Sequence, residues 1–194
     1  MNLNEQLTRI KEMMDINEAP QPITVYHGSN TKITNFVDDF VGGEQAQDLE
    51  GPGIYFTTLP ENAEYFGTYI HEVTIAPRKL LTERPNGGTF NELIKLARMA
   101  SEWESTAQNW DENEEVGLNQ AIKDFISYNS NQKDRFLQVW IDFYKNNPVD
   151  YVRNCVKLGY DGIVVNRDVI DGKQLKHYII YNPNIIQIKQ ITQV

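Results

Sequence analysis

Between residues 23 and 191 the apolar residues change their spacing twice, and few architectures tolerate that. Over 23–82 they come in short runs bounded by Gly, Pro and polar residues, at 23–26, 53–57, 72–75 and 79–82. Such runs read as strands. Residues 60–65 read as a short helix with Pro60 in its first turn. The stretch 30–52 carries Gly42, Gly43, Gly51 and Pro52 among polar residues and reads mostly as loop. Over 89–158 the period becomes helical. Thr89-Phe90-Asn91-Glu92 fits a capping box, and Phe90, Leu93, Ala97 and Ala100 form one apolar face. Ala121, Ile122, Phe125 and Ile126 form a second face, and Phe136, Val139, Trp140, Phe143 and Tyr144 a third. Asn146-Asn147-Pro148 ends that helix, Val149, Val152 and Val156 suggest a short fourth, and Gly159 stops it. Trp103, Trp110 and Trp140 read as core. From 162 the strand pattern returns, at 162–165, 177–181 and 185–191. Strands, helices, then strands predict an α+β fold with a helical insertion at 89–158.

Ahead of this domain, Leu3, Leu7, Ile10 and Met14 recur at helical spacing, so residues 1–18 read as a separable amphipathic leader helix. Ala19-Pro20-Gln21-Pro22 then reads as a linker, leaving 23–194 as the domain. No apolar run approaches the roughly 20 residues of a membrane helix, so no membrane partner is expected. The chain has 18 Lys+Arg against 27 Asp+Glu, a net charge of −9, and an acidic surface does not grip nucleic acid by bulk electrostatics. With Cys155 as its one cysteine, it has no internal disulfide or cysteine-cluster metal site, and a cytoplasmic, reducing environment is the simple expectation.

The segment Tyr26-His27-Gly28-Ser29 puts an imidazole and a bare backbone at the end of a strand. A neutral histidine can hydrogen-bond a sugar hydroxyl, and glycine admits a planar ligand close to the main chain. A satisfied structural histidine is the competing reading. Tyr55 in Gly53-Ile54-Tyr55-Phe56-Thr57 and Tyr65 in Ala63-Glu64-Tyr65 could sandwich an aromatic ring, or could be core tyrosines. Farther on stand Gly159-Tyr160-Asp161-Gly162-Ile163 and His177-Tyr178-Ile179-Ile180-Tyr181-Asn182-Pro183, with Gln187 beyond.

In that order the segments resemble the diphtheria-toxin-like branch of the ADP-ribosyltransferases, which includes the poly(ADP-ribose) polymerases, and the small ADP-ribosyltransferase domains of phage and mobile elements. The resemblance covers 23–82 and 159–191 and implies a split β-sheet core that takes NAD as substrate and needs no metal. It implies that His27 holds the adenosine ribose, that Gly28 offers its backbone to the nicotinamide carboxamide, and that Ser29 adds a hydroxyl. Tyr55 would be the second member of the family's His-Tyr-Glu set, and Tyr65 would stack on nicotinamide. The third member, a glutamate, falls at His177, so the sequence departs from the pattern.

The departure matters because breaking the nicotinamide–ribose bond builds oxocarbenium character, which a carboxylate stabilises. Three readings stay open: His177 replaces the glutamate, Asp168 or Asp171 on the preceding turn supplies the acid, or the domain binds NAD without chemistry. The expected activity is mono-ADP-ribosylation of a macromolecule, a host protein being the preferred acceptor. The alternative is a degenerate NAD-binding module whose helical insertion is a partner surface. RNA 2′-phosphotransferases share the fold and use NAD, but need basic residues to grip the RNA phosphate, and this acidic chain offers few near its motifs. An arginine-specific toxin would carry a Glu-x-Glu pair, and residues 165–175 contain no glutamate. Finally, Ile16-Asn17-Glu18-Ala19 resembles the sites cut by prohead proteases of tailed phages. It suggests a virion protein whose leader is removed at a linker and which reaches the host cytoplasm with the genome.

Overall fold

The computed structural model describes residues 21–37, 50–82, 87–101 and 139–194. The leader 1–18, its cleavage motif, residues 19 and 20 of the linker, Trp103, Trp110 and the apolar face at 121–126 lie outside the described residues.

Seven strands form one mixed sheet: β1 (Ile23–Ser29), β2 (Ile54–Thr57), β3 (Tyr69–Ile75), β4 (Leu80–Thr82), β5 (Gly162–Ile170), β6 (Lys173–Ile180) and β7 (Ile186–Gln193), in the order β4-β5-β6-β2-β1-β3-β7. All neighbours run antiparallel except β4 and β5. A parallel pair needs a long crossover, and the chain between β4 and β5 supplies it with α2 (Gly87–Arg98), a π-helical turn (Trp140–Tyr144) and α3 (Pro148–Lys157). Pro148 at the start of α3 and the Asn147 side chain, which accepts the Asp150 N–H at 3.3 Å, give this helix its N-terminal cap. Before the crossover, α1 (Pro60–Ala63) continues as a 3-10 turn (Glu64–Phe66).

The two sheet faces bury different cores, as side-chain alternation requires. On one face Leu93, Leu96, Trp140, Tyr144, Tyr151 and Cys155 of the helices pack on Ile163, Val165, Ile179 and Tyr181. On the other, Val25, Ile54, Phe56, Val73, Tyr178 and Ile180 enclose Phe36. Leu93, Ala97, Ala100 and Trp140 are core, as their spacing predicts.

Several local expectations are corrected. The strand with His27 and Gly28 does not end at Tyr26 but runs to Ser29, because β3 pairs with it residue for residue from Ile23↔Ile75 to Ser29↔Tyr69. The capping box at Thr89 fails: α2 begins at Gly87, which puts Thr89 inside the helix. Glu92 instead accepts the Lys79 ammonium at 2.6 Å and the Tyr160 hydroxyl, tying α2 to the sheet edge. Long-range partners outcompete a local cap here.

Candidate active site

The sheet is nearly divided. β1 and β2 share a single register pair, Tyr26↔Thr57, whereas β2 and β6 share four and β1 and β3 seven. Past Tyr26 the two strands part, and the His27 ring bridges them: its Nδ1–H donates to the Tyr55 carbonyl at 2.7 Å. That bond assigns the ring proton to Nδ1 and leaves Nε2 a lone pair. Burial lowers the His27 pKa, opposed by the hydrogen bond to Tyr55 and aided by the neighbouring His71, so the ring is neutral at pH 7. Phe36 meets it edge-on at 5.2 Å, and Phe56 lies tilted against it at 5.8 Å. His71, fully buried, donates from Nδ1 to the His27 carbonyl at 3.2 Å and accepts the Ile33 N–H on Nε2 at 2.9 Å. It thereby pins the chain after β1 against the strand.

Gly28 is required by packing. A Cβ there would lie 1.8 Å from the Ala63 carbonyl oxygen and 3.1 Å from the Phe66 Cβ, so α1 and its 3-10 extension lie directly on β1. Tyr65 rides on that extension, 85% exposed, with Phe66 beside it at 62%. The Ser29 hydroxyl accepts the Thr31 N–H at 3.1 Å and closes the turn out of β1.

Tyr55 and His177 come together differently. Tyr55 is opposed to Ile179 and Thr57 to His177. Opposed residues and alternate residues share a face, so Tyr55 and His177 are diagonal neighbours on the helix-covered face. Phe56 and the His27 ring belong to the other face, and the His27 ring is tied to β2 through the Tyr55 carbonyl. The Tyr55 hydroxyl donates to the Gly51 carbonyl at 2.5 Å. This holds a buried turn, 50–53, in which Gly51 (φ +98) and Gly53 (φ +151) take backbone angles that other residues rarely adopt.

The turn carries a residue that sequence reasoning missed. Glu50 is 4% exposed, and both its carboxylate oxygens lie 3.0 Å from His177 Nδ1. Arg167 donates to Oε1 of the same carboxylate. Burial, then the Arg167 charge, lower the His177 pKa to about 4. Its contact with Glu50 is therefore a hydrogen bond from a neutral ring, not an ion pair, because the guanidinium already balances the carboxylate. His177 Nε2 is buried and has no hydrogen-bond partner. In the sequence Glu50 is one more loop glutamate, placed before Gly51-Pro52-Gly53, and nothing local marks it as buried. Asp171 occupies the tip of the β5–β6 hairpin with φ 50, exposed. The turn and then four strand steps of β6 from Lys173, about 13 Å, separate it from His177. Asp168 lies within β5, and its side chain is outside the described residues.

The Tyr160-Asp161 segment is structural. Asp161 accepts the backbone N–H of Arg78 at 2.6 Å and of Lys79 at 3.4 Å, which aligns β4 with β5. Cys155 is buried, and burial pushes its thiol up to about 12. Among the described residues no group of three His, Cys, Asp or Glu could hold a metal ion, and no helix is long and apolar enough to cross a membrane.

A family model described as "ADP-Ribosyltransferase in polyvalent proteins" matches residues 17–194. No curated protein matches the chain. Among solved structures, the crystal structure of an anti-CRISPR protein is similar at 12% identity and a TM-score of 0.40, covering 87% of this chain and 96% of that one. A likeness at that level carries no argument.

Proposed function

The chain belongs to the ADP-ribosyltransferases of polyvalent proteins, and from that premise we propose that it is an NAD-dependent mono-ADP-ribosyltransferase acting on a macromolecule, a host protein in the first instance. The observation that carries the reading is the 2.7 Å bond from His27 to the Tyr55 carbonyl, which joins two signature residues 28 positions apart at the parting of β1 and β2. A parting of this kind leaves the β1 edge open for a planar ligand beside Gly28. The neutral His27 ring offers Nε2 to a ribose hydroxyl, Ser29 lies at the end of the same strand, and the exposed Tyr65 is free to stack on nicotinamide. The finer placement in the diphtheria-toxin and poly(ADP-ribose) polymerase branch rests on the order of these motifs.

One observation favours the second reading, a binding module without chemistry: position 177 is a neutral histidine, and the nearby Glu50 charge is matched by Arg167. In that case the segment 89–158 between β4 and β5 becomes the partner surface. The two separate in an assay of nicotinamide release with labelled NAD and a bacterial lysate as acceptor, with wild type beside His27→Ala and Tyr55→Ala. We expect the wild type to label lysate proteins and each variant to fall by about 100-fold or more. NAD binding without nicotinamide release, whatever the acceptor, would establish the module instead. We also propose that residues 1–18 are cut off at Ile16-Asn17-Glu18-Ala19 during packaging in a phage head, a reading supported by the motif's place beside a proline linker. Mass spectrometry of particle-derived protein bearing an intact Met1 would sink it.

A further inference from the structure

The carboxylate absent from position 177 stands against it in space, brought from 127 residues away. We propose that Glu50 and His177 form a carboxylate–imidazole pair, in which Glu50 holds the ring proton on Nδ1 and so presents Nε2 as the acceptor for a ribose hydroxyl of NAD. The inference rests on the transferase reading above. In it Glu50 is a positioning residue and His177 is the group that touches substrate.

Three independent observations carry it. First, an ionised carboxylate only accepts, so two oxygens at 3.0 Å from Nδ1 require the proton to be there. Second, Nε2 is then a lone pair, buried and without a partner. Such an orphaned acceptor is unfavourable unless a ligand satisfies it. Of the four buried orphans among the described residues, it alone has its acceptor character set by a charged neighbour. Third, the turn that carries Glu50 is tied to the other signature strand, since the Tyr55 hydroxyl bonds the carbonyl of Gly51. Arg167 pairs with the Glu50 carboxylate, and burial together with that guanidinium keeps the ring neutral.

The chemistry follows. As the bond from ribose C1′ to nicotinamide breaks, its electron pair leaves with nicotinamide and positive character grows on the sugar. The ribose hydroxyls become more acidic, so a hydrogen bond to Nε2 strengthens in the transition state. No proton need be transferred. The Glu50 charge behind the ring increases the response, as in other carboxylate-oriented histidines.

The test is Glu50→Gln, with the His177 tautomer read by imidazole 15N NMR beside steady-state nicotinamide release. The chain has only three histidines, so assignment by single His→Gln variants is direct. In Glu50→Gln the amide oxygen is claimed by Arg167, which turns the NH2 toward Nδ1 and drives the ring proton to Nε2. The acceptor becomes a donor. We expect Nδ1–H in the wild type and Nε2–H in the variant, KM for NAD within about 3-fold, and kcat lower by about 100-fold or more. His177→Gln should lose a similar factor, and the double variant should lose no more than either single one.

A wild-type ring protonated on Nε2 would overturn the proposal without any substitution, so a variant that fails to fold does not shelter it. An active wild type whose Glu50→Gln form keeps kcat would overturn it too, leaving the transferase reading intact. A wild type that turns over no NAD would defeat the transferase reading and the ribose contact together, and the NMR arm would then report a structural pair only.

Discussion

Replacing His177 with Gln should change how the protein's stability responds to acid. In the folded state the ring's pKa is lowered to about 4, by burial and then by Arg167, from 6.5 in the unfolded chain. As pH falls, the unfolded chain takes up the proton first, so folding is opposed. The contribution is harmless above 6.5, grows through the window from 6.5 to 4, and is complete below it. At about 1.4 kcal/mol per pH unit, the full loss is about 3 kcal/mol, of which about 2 kcal/mol is present by pH 5. The side chain is only 19% exposed, so solvent screening removes little of this. Glutamine cannot titrate, yet its amide can still donate to Glu50. Urea unfolding of both proteins from pH 7.5 to 4.5 gives the measurement. Groups remote from position 177 are common to both proteins and cancel in the difference. The gap between wild type and variant should shift by about 2 kcal/mol in the variant's favour by pH 5. A gap that stays constant over that range would refute the neutral, Arg167-facing histidine.

Other consequences can be checked on the same protein. Gly28→Ala forces a Cβ to within 1.8 Å of the Ala63 carbonyl, a backbone obstacle that cannot rotate away. Denaturant unfolding should record a loss of about 1–3 kcal/mol or more, with weaker NAD binding, and unchanged stability would mean that α1 does not lie on β1. The Tyr144 hydroxyl donates to the Leu96 carbonyl and accepts the Asn154 amide at 3.1 Å, all in the helical core. Tyr144→Phe should therefore lower stability by about 1–3 kcal/mol in the same assay. Cys155 is 0% exposed and its thiol is pushed up to about 12, so Ellman's reagent at about pH 8 should modify it only in denaturant. Rapid modification of the native protein would contradict its burial.

Much of the fold was legible because its signals are local. The strand–helix–strand succession lies in residue spacing, and the proline that opens α1 acts on its own φ angle. The burial of Leu93, Ala97 and Trp140 follows from the 3.6-residue period. The His27–Gly28 and Tyr55 segments were legible as candidates, and the structure places both on strands and joins them through the His27 ring. Where local rules misled, a distant partner had won. Glu92 was expected to cap its own helix and instead binds Lys79 and Tyr160, while β1 outran its apolar run because β3 pairs with it to Ser29.

The sequence alone thus determined the order of the described strands and helices and, among the described residues, core positions such as Leu93, Ala97 and Trp140, all consequences of what each residue does within a turn or two of chain. It also showed that position 177 lacks a carboxylate. Only the tertiary structure decided where a carboxylate would come from. Glu50 looks like any loop glutamate until β2 pairs with β6 and the 50–53 turn folds under Tyr55, which brings it to a ring 127 residues away. The strength of that contact depends on exclusion of water and on Arg167, and neither burial nor a third charge is a property of the local sequence.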